Sequence, residues 1–289
     1  MAPHVSYSQL TQFMRCGKQY ELQRLAGVPQ LPSVWLVAGK AFHAAAEKIA
    51  LDYPARSLDL IATWQQAWDT ELADAMRRTT VPTDQWRKAG RETKDKPNKE
   101  DLAWWEAEGR EQTKVFEEWF YSSDFEPATI NNMPAVEIET SAVFGGEPVK
   151  GFCDIVLRHK TEGWLLIVDY KSGSRIPLTT TQLGSYATSI AMTTNGEVVV
   201  TKGAFYMTRK GILTEPEDIS RYSEPWFTGQ FTRLRKAIDQ GLFLANLGDS
   251  CNMCDVKSGC YAGKGADAWI YDTDHPQYTP HNREIANGR

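Results

Sequence analysis

The fold prediction starts from the stretch LLIVDYKSG, residues 165–173. Its apolar residues predict a buried β-strand, because short apolar runs that end in polar residues and glycine are typical of strands inside a sheet. Asp169 and Lys171 follow this run two positions apart. Side chains two apart on a strand project to the same face, so the sequence predicts an acid and a base side by side where the strand ends.

The segments on either side of this stretch predict an α/β fold. Residues 135–144 (AVEIETSAVF) and 149–159 (VKGFCDIVLRH) alternate apolar and polar side chains around a GGEP turn, which predicts a hairpin of two strands. Residues 178–194 and about 224–244 have helical spacing, and residues 197–207 predict a further strand. We therefore expect a mixed central β-sheet flanked by helices.

The first part of the chain is predicted to be mostly helical. A capped helix begins near Ser6 and ends at the proline-rich residues 27–33, and a second helix over Val34–Leu51 places His43 and Glu47 four apart on one face. Residues 56–126 predict a helical insertion with a polar loop at 89–101. We expect a single domain over residues 1–289, with most of its ten tryptophans in the helical core although such rings can also stack on bases.

Composition and charge exclude several classes of protein. The 289 residues contain no apolar run long enough to cross a membrane, and the first ten residues do not resemble a secretion signal. We therefore expect a cytoplasmic protein without a membrane anchor. The formal net charge of −5 is not that of a protein that coats nucleic acid, so any contact with DNA requires a local site.

Two aspartates and one lysine point to metal-assisted chemistry. Asp154 lies in the second strand of the predicted hairpin, and if that strand neighbours the next one, Asp154 lies beside Asp169 and Lys171. Two carboxylates held close together repel each other, and a divalent cation removes this repulsion. Hard oxygen ligands favour Mg²⁺ or Mn²⁺. Such an ion activates a bound water and neutralises charge on phosphate oxygens, and Lys171 can orient the attacking water.

Taken alone, a D-x-K triplet is more often a pair of exposed polar residues where a strand leaves the core. Five segments, however, follow one another along the chain: SYSQLTQFMRCGKQYEL (6–22), GKAFHAAAE (39–47), GFCDIVL (151–157), IVDYKSG (167–173) and QLGSYA (182–187). In their order and spacing, these segments together resemble the RecB-type nucleases of the PD-(D/E)XK superfamily. The resemblance covers most of the chain from Ser6 to Cys260 apart from the helical insertion, and it implies a restriction-endonuclease-like core.

The resemblance implies roles for individual residues. His43, Asp154 and Asp169 correspond to the metal ligands of the family, and Lys171 corresponds to its catalytic lysine. Without the neighbouring motifs, His43 would be read as a core histidine. Gln182 and Tyr186 match a helical motif at the DNA-facing side of the site. Glu137 or Glu139 can match an acidic residue on the preceding strand, and Glu47 is either a site carboxylate or part of a solvated helix surface.

Five cysteines occur in the chain: Cys16, Cys153, Cys251, Cys254 and Cys260. An odd number with a C-x₂-C pair favours metal ligation over disulfides, and a C-x₂-C pair alone is typical of zinc. The early cysteine and the three late ones resemble the iron-sulfur subset of the family, the Cas-four-like and AddB-type nucleases. This resemblance implies a 4Fe-4S cluster held by Cys16 and the region 245–262, joining the N- and C-terminal parts. Family members often have proline where this chain has Gly17. Cys153 is expected in the core.

The resemblance therefore implies a metal-dependent DNA exonuclease that acts on single-stranded DNA or on DNA ends. Recombination, repair and CRISPR spacer processing are all compatible settings, each with its own partner proteins. Two alternatives compete with this prediction. The first is a catalytically silent iron-sulfur module that binds DNA ends for a larger machine, and the second is a structural protein stabilised by zinc.

Overall fold

The computed structural model of the chain describes residues 4–90 and 100–282. They form two compact units: unit 1 contains residues 4–31, 143–150 and 224–282, and unit 2 contains residues 32–90, 100–142 and 151–223. Most of the predicted polar loop at 89–101 lies outside the described residues. Within the described ranges, no helix combines the length and the apolar character that a membrane crossing requires.

The helices and strands follow the chain in a mixed order. The helices are α1 (Tyr7–Arg15), α2 (Gly17–Tyr20), α3 (Val34–Leu51), α4 (Leu60–Arg77), α5 (Leu102–Ser122), α6 (Thr181–Thr193), α7 (Glu224–Asp239) and α8 (Ala268–Tyr271). The strands are β1 (Phe125–Pro127), β2 (Thr129–Ile130), β3 (Met133–Pro134), β4 (Val136–Phe144), β5 (Glu147–His159), β6 (Leu165–Lys171), β7 (Lys202–Met207), β8 (Ile212–Leu213) and β9 (Glu217–Asp218).

The central sheet is mixed, which confirms the predicted α/β fold. Strands β1, β5, β6, β7 and β8 lie side by side in this order, β4 pairs with β5, and β9 pairs with β7. Strands β5 and β6 are antiparallel, whereas β6 and β7 are parallel. The parallel pair needs a crossover connection, and α6 provides it. Asp154 in the middle of β5 and Asp169 near the end of β6 therefore lie on neighbouring strands.

Helices cover both faces of this sheet in unit 2. On one face, Val168 and Tyr170 of β6 pack with apolar residues of α3, α4 and α5. On the other face, Ile167 of β6 and Phe205 of β7 pack against α6. Trp64, Trp68 and Trp105 are fully buried, because α4 and α5 turn their aromatic residues towards α3 and the sheet. The strand that carries the D-x-K triplet is thus held rigidly from both sides.

The first predicted helix is not continuous. It breaks at Cys16, whose extended backbone ends α1 and begins α2, and a π-helical turn follows at Glu21–Leu25. The break lets the thiol of Cys16 accept a hydrogen bond from the backbone N–H of Gln19. Gly17 lies against the backbone of Leu244, and a Cβ at this position would be 3.0 Å from the nitrogen of Leu244. A side chain at residue 17 would therefore require the backbone of Leu244 to move by a few tenths of an ångström.

Candidate metal centre and active site

A histidine and two carboxylates converge at the end of the sheet in unit 2. His43 on α3 lies with its Nδ1 atom 3.1 Å from Oδ1 of Asp154 on β5 and 3.8 Å from Oε1 of Glu137 on β4. Among the described residues, this is the one group of three or more histidine, cysteine, aspartate or glutamate side chains whose ligand atoms all lie within 4.8 Å of one another. The group could hold a metal ion.

Asp154 is oriented by the neighbouring strand. The last residue pair between β5 and β6 is Ile155 with Val168, and the two aspartates are the next residue on each strand beyond this pair. Beyond this point, the backbone N–H of Tyr170 donates a hydrogen bond of 2.6 Å to Oδ2 of Asp154. The Asp154 side chain thus takes the place of a backbone hydrogen bond between the two strands, and its Oδ1 atom faces His43. The buried carboxylate therefore has a fixed direction towards the centre.

The second aspartate begins a chain of polar contacts towards α6. The Nζ atom of Lys171 lies 2.6 Å from Oδ2 of the buried Asp169 and donates a hydrogen bond of 3.0 Å to Oε1 of Gln182. The side-chain amide of Gln182 donates in turn to the hydroxyl of Tyr186 at 2.8 Å. The structure thus brings these four predicted residues into one connected row. Asp169 is not part of the compact group around His43.

Glu137, and not Glu139, lies at the centre. Strict alternation along β4 would place both side chains on the same face. Glu137 instead has a φ of 46°, in the left-handed region that favours glycine, so the alternation is interrupted at this residue. Glu139 is exposed and lies outside the group. Backbone strain of this kind typically costs about 1–3 kcal/mol and is concentrated at functional sites.

The electrostatics of the centre show an excess of negative charge. Burial and the charge of Asp154 raise the pKa of Asp169 to about 6, although Lys171 acts in the opposite direction. Burial lowers the pKa of His43, but the carboxylates of Asp154 and Glu137 outweigh burial and raise it to about 10. Burial and the charge of Glu137 also raise the pKa of Glu47. All three raised pKa values mean that the site retains protons, because protons offset the excess of negative charge in the absence of another cation.

These donors fit a divalent cation. Several carboxylate oxygens and one imidazole nitrogen are hard or borderline ligands, which is the set that Mg²⁺ and Mn²⁺ take in proteins. A cation would replace the proton that the carboxylates otherwise retain on His43. The residues present therefore match the requirement of a divalent metal site.

The centre opens into a cleft of about 720 Å³. Its walls include Glu47, Lys40 and Glu71, and also Ser172 and Gly173, which follow the D-x-K triplet. The sequence interpretation did not include the cleft residues Lys40, Glu71, Trp35 and Phe152, because nothing in their local pattern distinguishes them from ordinary surface residues. Lys171 and the carboxylates of Glu137 and Asp154 line this same cleft.

The four predicted cluster cysteines lie near one another in unit 1. Burial, the charge of Asp255 and the thiols of Cys16 and Cys251 raise the pKa of Cys254. Burial, the charge of Asp272 and the thiols of Cys254 and Cys16 raise the pKa of Cys260. Asn246 links the segments, because its side chain donates to the carbonyl of Arg15 and its backbone N–H to Cys16. Within the described ranges, the four sulfur atoms do not form a ligand group as compact as that around His43. Cys153 is fully buried.

Comparison with known proteins agrees with this arrangement. The sequence profile of the PD-(D/E)XK nuclease superfamily matches residues 4–261. The chain is 30% identical over 278 residues to the Gene 69 protein of Mycobacterium phage D29, covering 89% of this chain and 96% of that protein. It is 28% identical over 293 residues to the Gene 69 protein of Mycobacterium phage L5, covering 90% and 97%. With a matched range that includes every residue of the centre, the chain belongs to the PD-(D/E)XK nuclease superfamily, whose members are nucleases that use divalent metal ions.

Proposed function

We propose that the protein is a Mg²⁺- or Mn²⁺-dependent exonuclease of the RecB type that hydrolyses phosphodiester bonds of single-stranded DNA or of DNA ends. The observation that carries this proposal is the convergence of His43, Asp154 and Glu137 beside the row from Asp169 to Gln182. The residues come from α3, three strands and α6, so their meeting depends on the whole sheet. Recombination, repair or CRISPR spacer processing would supply such a substrate.

In this proposal, His43, Asp154 and Asp169 hold the cation, and Glu137 completes the ligand set. The ion supplies a water of lowered pKa and neutralises charge on the phosphate. Asp154 keeps its direction because Tyr170 N–H fixes one carboxylate oxygen. Asp169 is close enough to Asp154 for the charge of one carboxylate to raise the pKa of the other. This proximity favours a shared cation.

Lys171 acts at the scissile phosphate. Its ammonium group is held between Asp169 and Gln182, at 2.6 and 3.0 Å, so little side-chain freedom is lost when the substrate binds. It orients the attacking water and donates hydrogen bonds to phosphate oxygens as negative charge develops. Gln182 and Tyr186 keep the amine in this position from α6 and contribute to the DNA-facing wall.

We further propose that Cys16, Cys251, Cys254 and Cys260 hold a 4Fe-4S cluster that joins the N-terminal helices to region 245–262. Each thiolate would bind a different iron, which requires wider spacing than four ligands around one zinc ion. Backbone N–H groups of Gln19 and Gly263 already donate to Cys16 and Cys260, as thiolates require. A single nuclease domain over 1–289 with an insertion at 56–126 accommodates this arrangement. We propose a cytoplasmic location, because thiols stay reduced there and remain available as cluster ligands.

The nuclease proposal is tested with end-labelled single- and double-stranded DNA and with a closed single-stranded circle. We expect the wild-type protein to degrade the linear single strand in Mg²⁺ or Mn²⁺ and to leave the circle intact. Asp154→Asn and Lys171→Met should each abolish cleavage, whereas Lys210→Met, at an exposed lysine outside the cleft, should not. A wild-type protein that binds DNA without cutting it would instead indicate the silent end-binding module.

The cluster proposal has a separate test. Protein purified without oxygen should contain iron and sulfide and absorb visible light. Cys16→Ala should lose the iron, whereas Cys153→Ala, at the buried cysteine of the sheet, should retain it. Stoichiometric zinc in a colourless protein would contradict the cluster and support a zinc site.

A further inference from the structure

A phenylalanine is exposed inside the cleft beside the metal centre. Phe152 lies on β5 two residues before Asp154, and 56% of its surface is accessible to solvent. Both residues line the same cleft. The ring belongs to neither of the two hydrophobic clusters that cover the faces of the sheet. Single exposed apolar residues are common, but this one lies next to the proposed ligand Asp154.

The helical wall of the cleft carries a second aromatic ring. Trp35, Gly39 and His43 follow one another at intervals of four along α3, so they share the face that leads to the centre. All three line the cleft, together with Leu36, which is 60% exposed. The guanidinium group of Arg87 lies 5.1 Å from the centroid of the Trp35 ring and holds the indole by a cation–π contact.

The charges of the cleft do not favour a phosphate backbone by themselves. Its walls contain the lysines Lys40 and Lys171 but four carboxylates, those of Glu47, Glu71, Glu137 and Asp154. Nucleic-acid sites usually draw most of their affinity from basic residues that neutralise phosphates. Here that contribution is small even when a cation is bound. Within the cleft, contacts to the bases are the other source of affinity, and aromatic rings are the side chains that bind bases without regard to sequence.

We propose that Phe152, with Trp35 on the helical wall of the same cleft, forms a stacking site for an unpaired nucleobase next to the scissile phosphate, so that the substrate is single-stranded DNA. The inference rests on the proposed nuclease function and specifies its substrate. A base inside a duplex is already stacked on its neighbours and does not expose its face. The cleft volume of about 720 Å³ lies in the range of about 300–1,000 Å³ that is usual for sites of small ligands such as a nucleotide.

The experiment compares Phe152→Ala with wild type on a single-stranded oligonucleotide and on the same strand with abasic sites. Affinity is measured by fluorescence anisotropy without added divalent cation, and KM and kcat are measured with Mg²⁺. We expect Phe152→Ala to weaken binding and raise KM for the normal strand by about tenfold, with kcat little changed. On the abasic strand the variant and wild type should bind equally, because the ring has no base to contact. Phe152→Trp should restore binding to the normal strand.

Val143→Ala provides a matched control, because Val143 has the same exposed fraction of 56% on β4 but lies outside the cleft. It should bind both strands as wild type does. Equal affinity of wild type and Phe152→Ala for the normal strand would overturn the inference, and so would an equal loss on both strands. Absence of cleavage by wild type would instead count against the nuclease proposal. The anisotropy comparison tests the stacking site separately, because it measures binding without cleavage.

Discussion

The guanidinium group of Arg209 donates a hydrogen bond of 3.0 Å from Nε to the backbone carbonyl oxygen of Ser172. Ser172 directly follows Lys171 and lines the cleft. The other two nitrogens of Arg209 bind the carboxylate of Glu100, and the planar group lies over the ring of Trp105 at 4.5 Å. One side chain therefore connects the start of α5 to the backbone immediately after the D-x-K triplet.

We expect Arg209→Lys to lower kcat by about tenfold to a hundredfold with little change in KM. The variant retains the charge but loses the planar fork that holds both Ser172 and Glu100, and small displacements of a reacting group have large effects on rate. Steady-state kinetics on single-stranded DNA measures the change. Arg158→Lys is the control, because Arg158 pairs with Glu126 in an exposed position. An equal effect of both variants would contradict a positioning role for Arg209.

Glu137→Gln should weaken Mn²⁺ binding by about tenfold or more, because it removes one charged oxygen ligand from the group around His43. Glu139→Gln, two residues along the same strand and exposed, should bind Mn²⁺ as wild type does. Isothermal titration calorimetry of the metal-free proteins measures both affinities. Identical affinities for the two variants would exclude Glu137 from the ligand set.

Metal affinity should increase with pH. The pKa of His43 is raised to about 10 in the metal-free protein, so the ring carries a proton at neutral pH that a cation must displace. Release of one proton gives about a tenfold gain in affinity for each pH unit below this pKa. Asp169, with a pKa of about 6, adds a second proton only under acidic conditions. Titrations with Mn²⁺ at several pH values between neutral and mildly alkaline should show this slope.

His43→Asn provides the control for this pH dependence. It should reduce the slope in the same pH range, since no imidazolium is left to release a proton. The same raised pKa affects stability. Protonation of His43 stabilises the metal-free folded protein fully at pH values below the pKa of an unfolded histidine, and this stabilisation is lost as the pH rises through the pKa of His43 in the folded protein. A pH-independent affinity of the wild-type protein would show that His43 is not a ligand.

Unit 1 should depend on one buried lysine. The Nζ atom of Lys18 lies 2.6 Å from Glu21, 3.1 Å from Asp272 and 2.9 Å from Asp274. Lys18→Met would leave the fully buried Asp272 without a counter-charge, which typically costs about 3–5 kcal/mol. Urea unfolding measures the loss, and Lys236→Met, at an exposed position of α7, should have little effect.

The pH dependence of this contribution follows from the direction of the Lys18 pKa. Burial lowers that pKa, but the hydrogen bonds to Glu21 and Asp274 outweigh burial and raise it above the ordinary value. The stabilisation is therefore fully present below the pKa of an unfolded lysine and is lost only at strongly alkaline pH. Between mildly acidic and mildly alkaline pH, Lys18 stays protonated in the folded and the unfolded protein. Its titration should therefore not change the difference in free energy of unfolding between wild type and Lys18→Met in this range.

Local periodicity was sufficient to predict much of the fold. The bounds of α3, Val34–Leu51, agree with the prediction, and β4, β5 and β6 lie where alternation and apolar runs placed them. These patterns are predictive because each helix or strand buries one face, and the residues on that face recur at a fixed interval along the sequence. Strand β7 begins at Lys202, later than the apolar residues 198–200 indicated. Val198 and Val200 pack in the hydrophobic cluster that contains residues of α6, whereas Val199 is exposed, and none of the three lies in a strand.

The sequence by itself determined which residue types are available to the two proposed metal sites: two aspartates, a lysine and a histidine for one, and four cysteines for the other, in the order of a known family. Only the tertiary structure decided which glutamate joins them, since the left-handed backbone at Glu137 interrupts the alternation that made Glu137 and Glu139 equivalent. The tertiary structure alone also placed Phe152 in the cleft and Arg209 against the backbone carbonyl of Ser172. Such contacts join residues from 37 to 111 positions apart, and no local pattern encodes distances across a folded sheet.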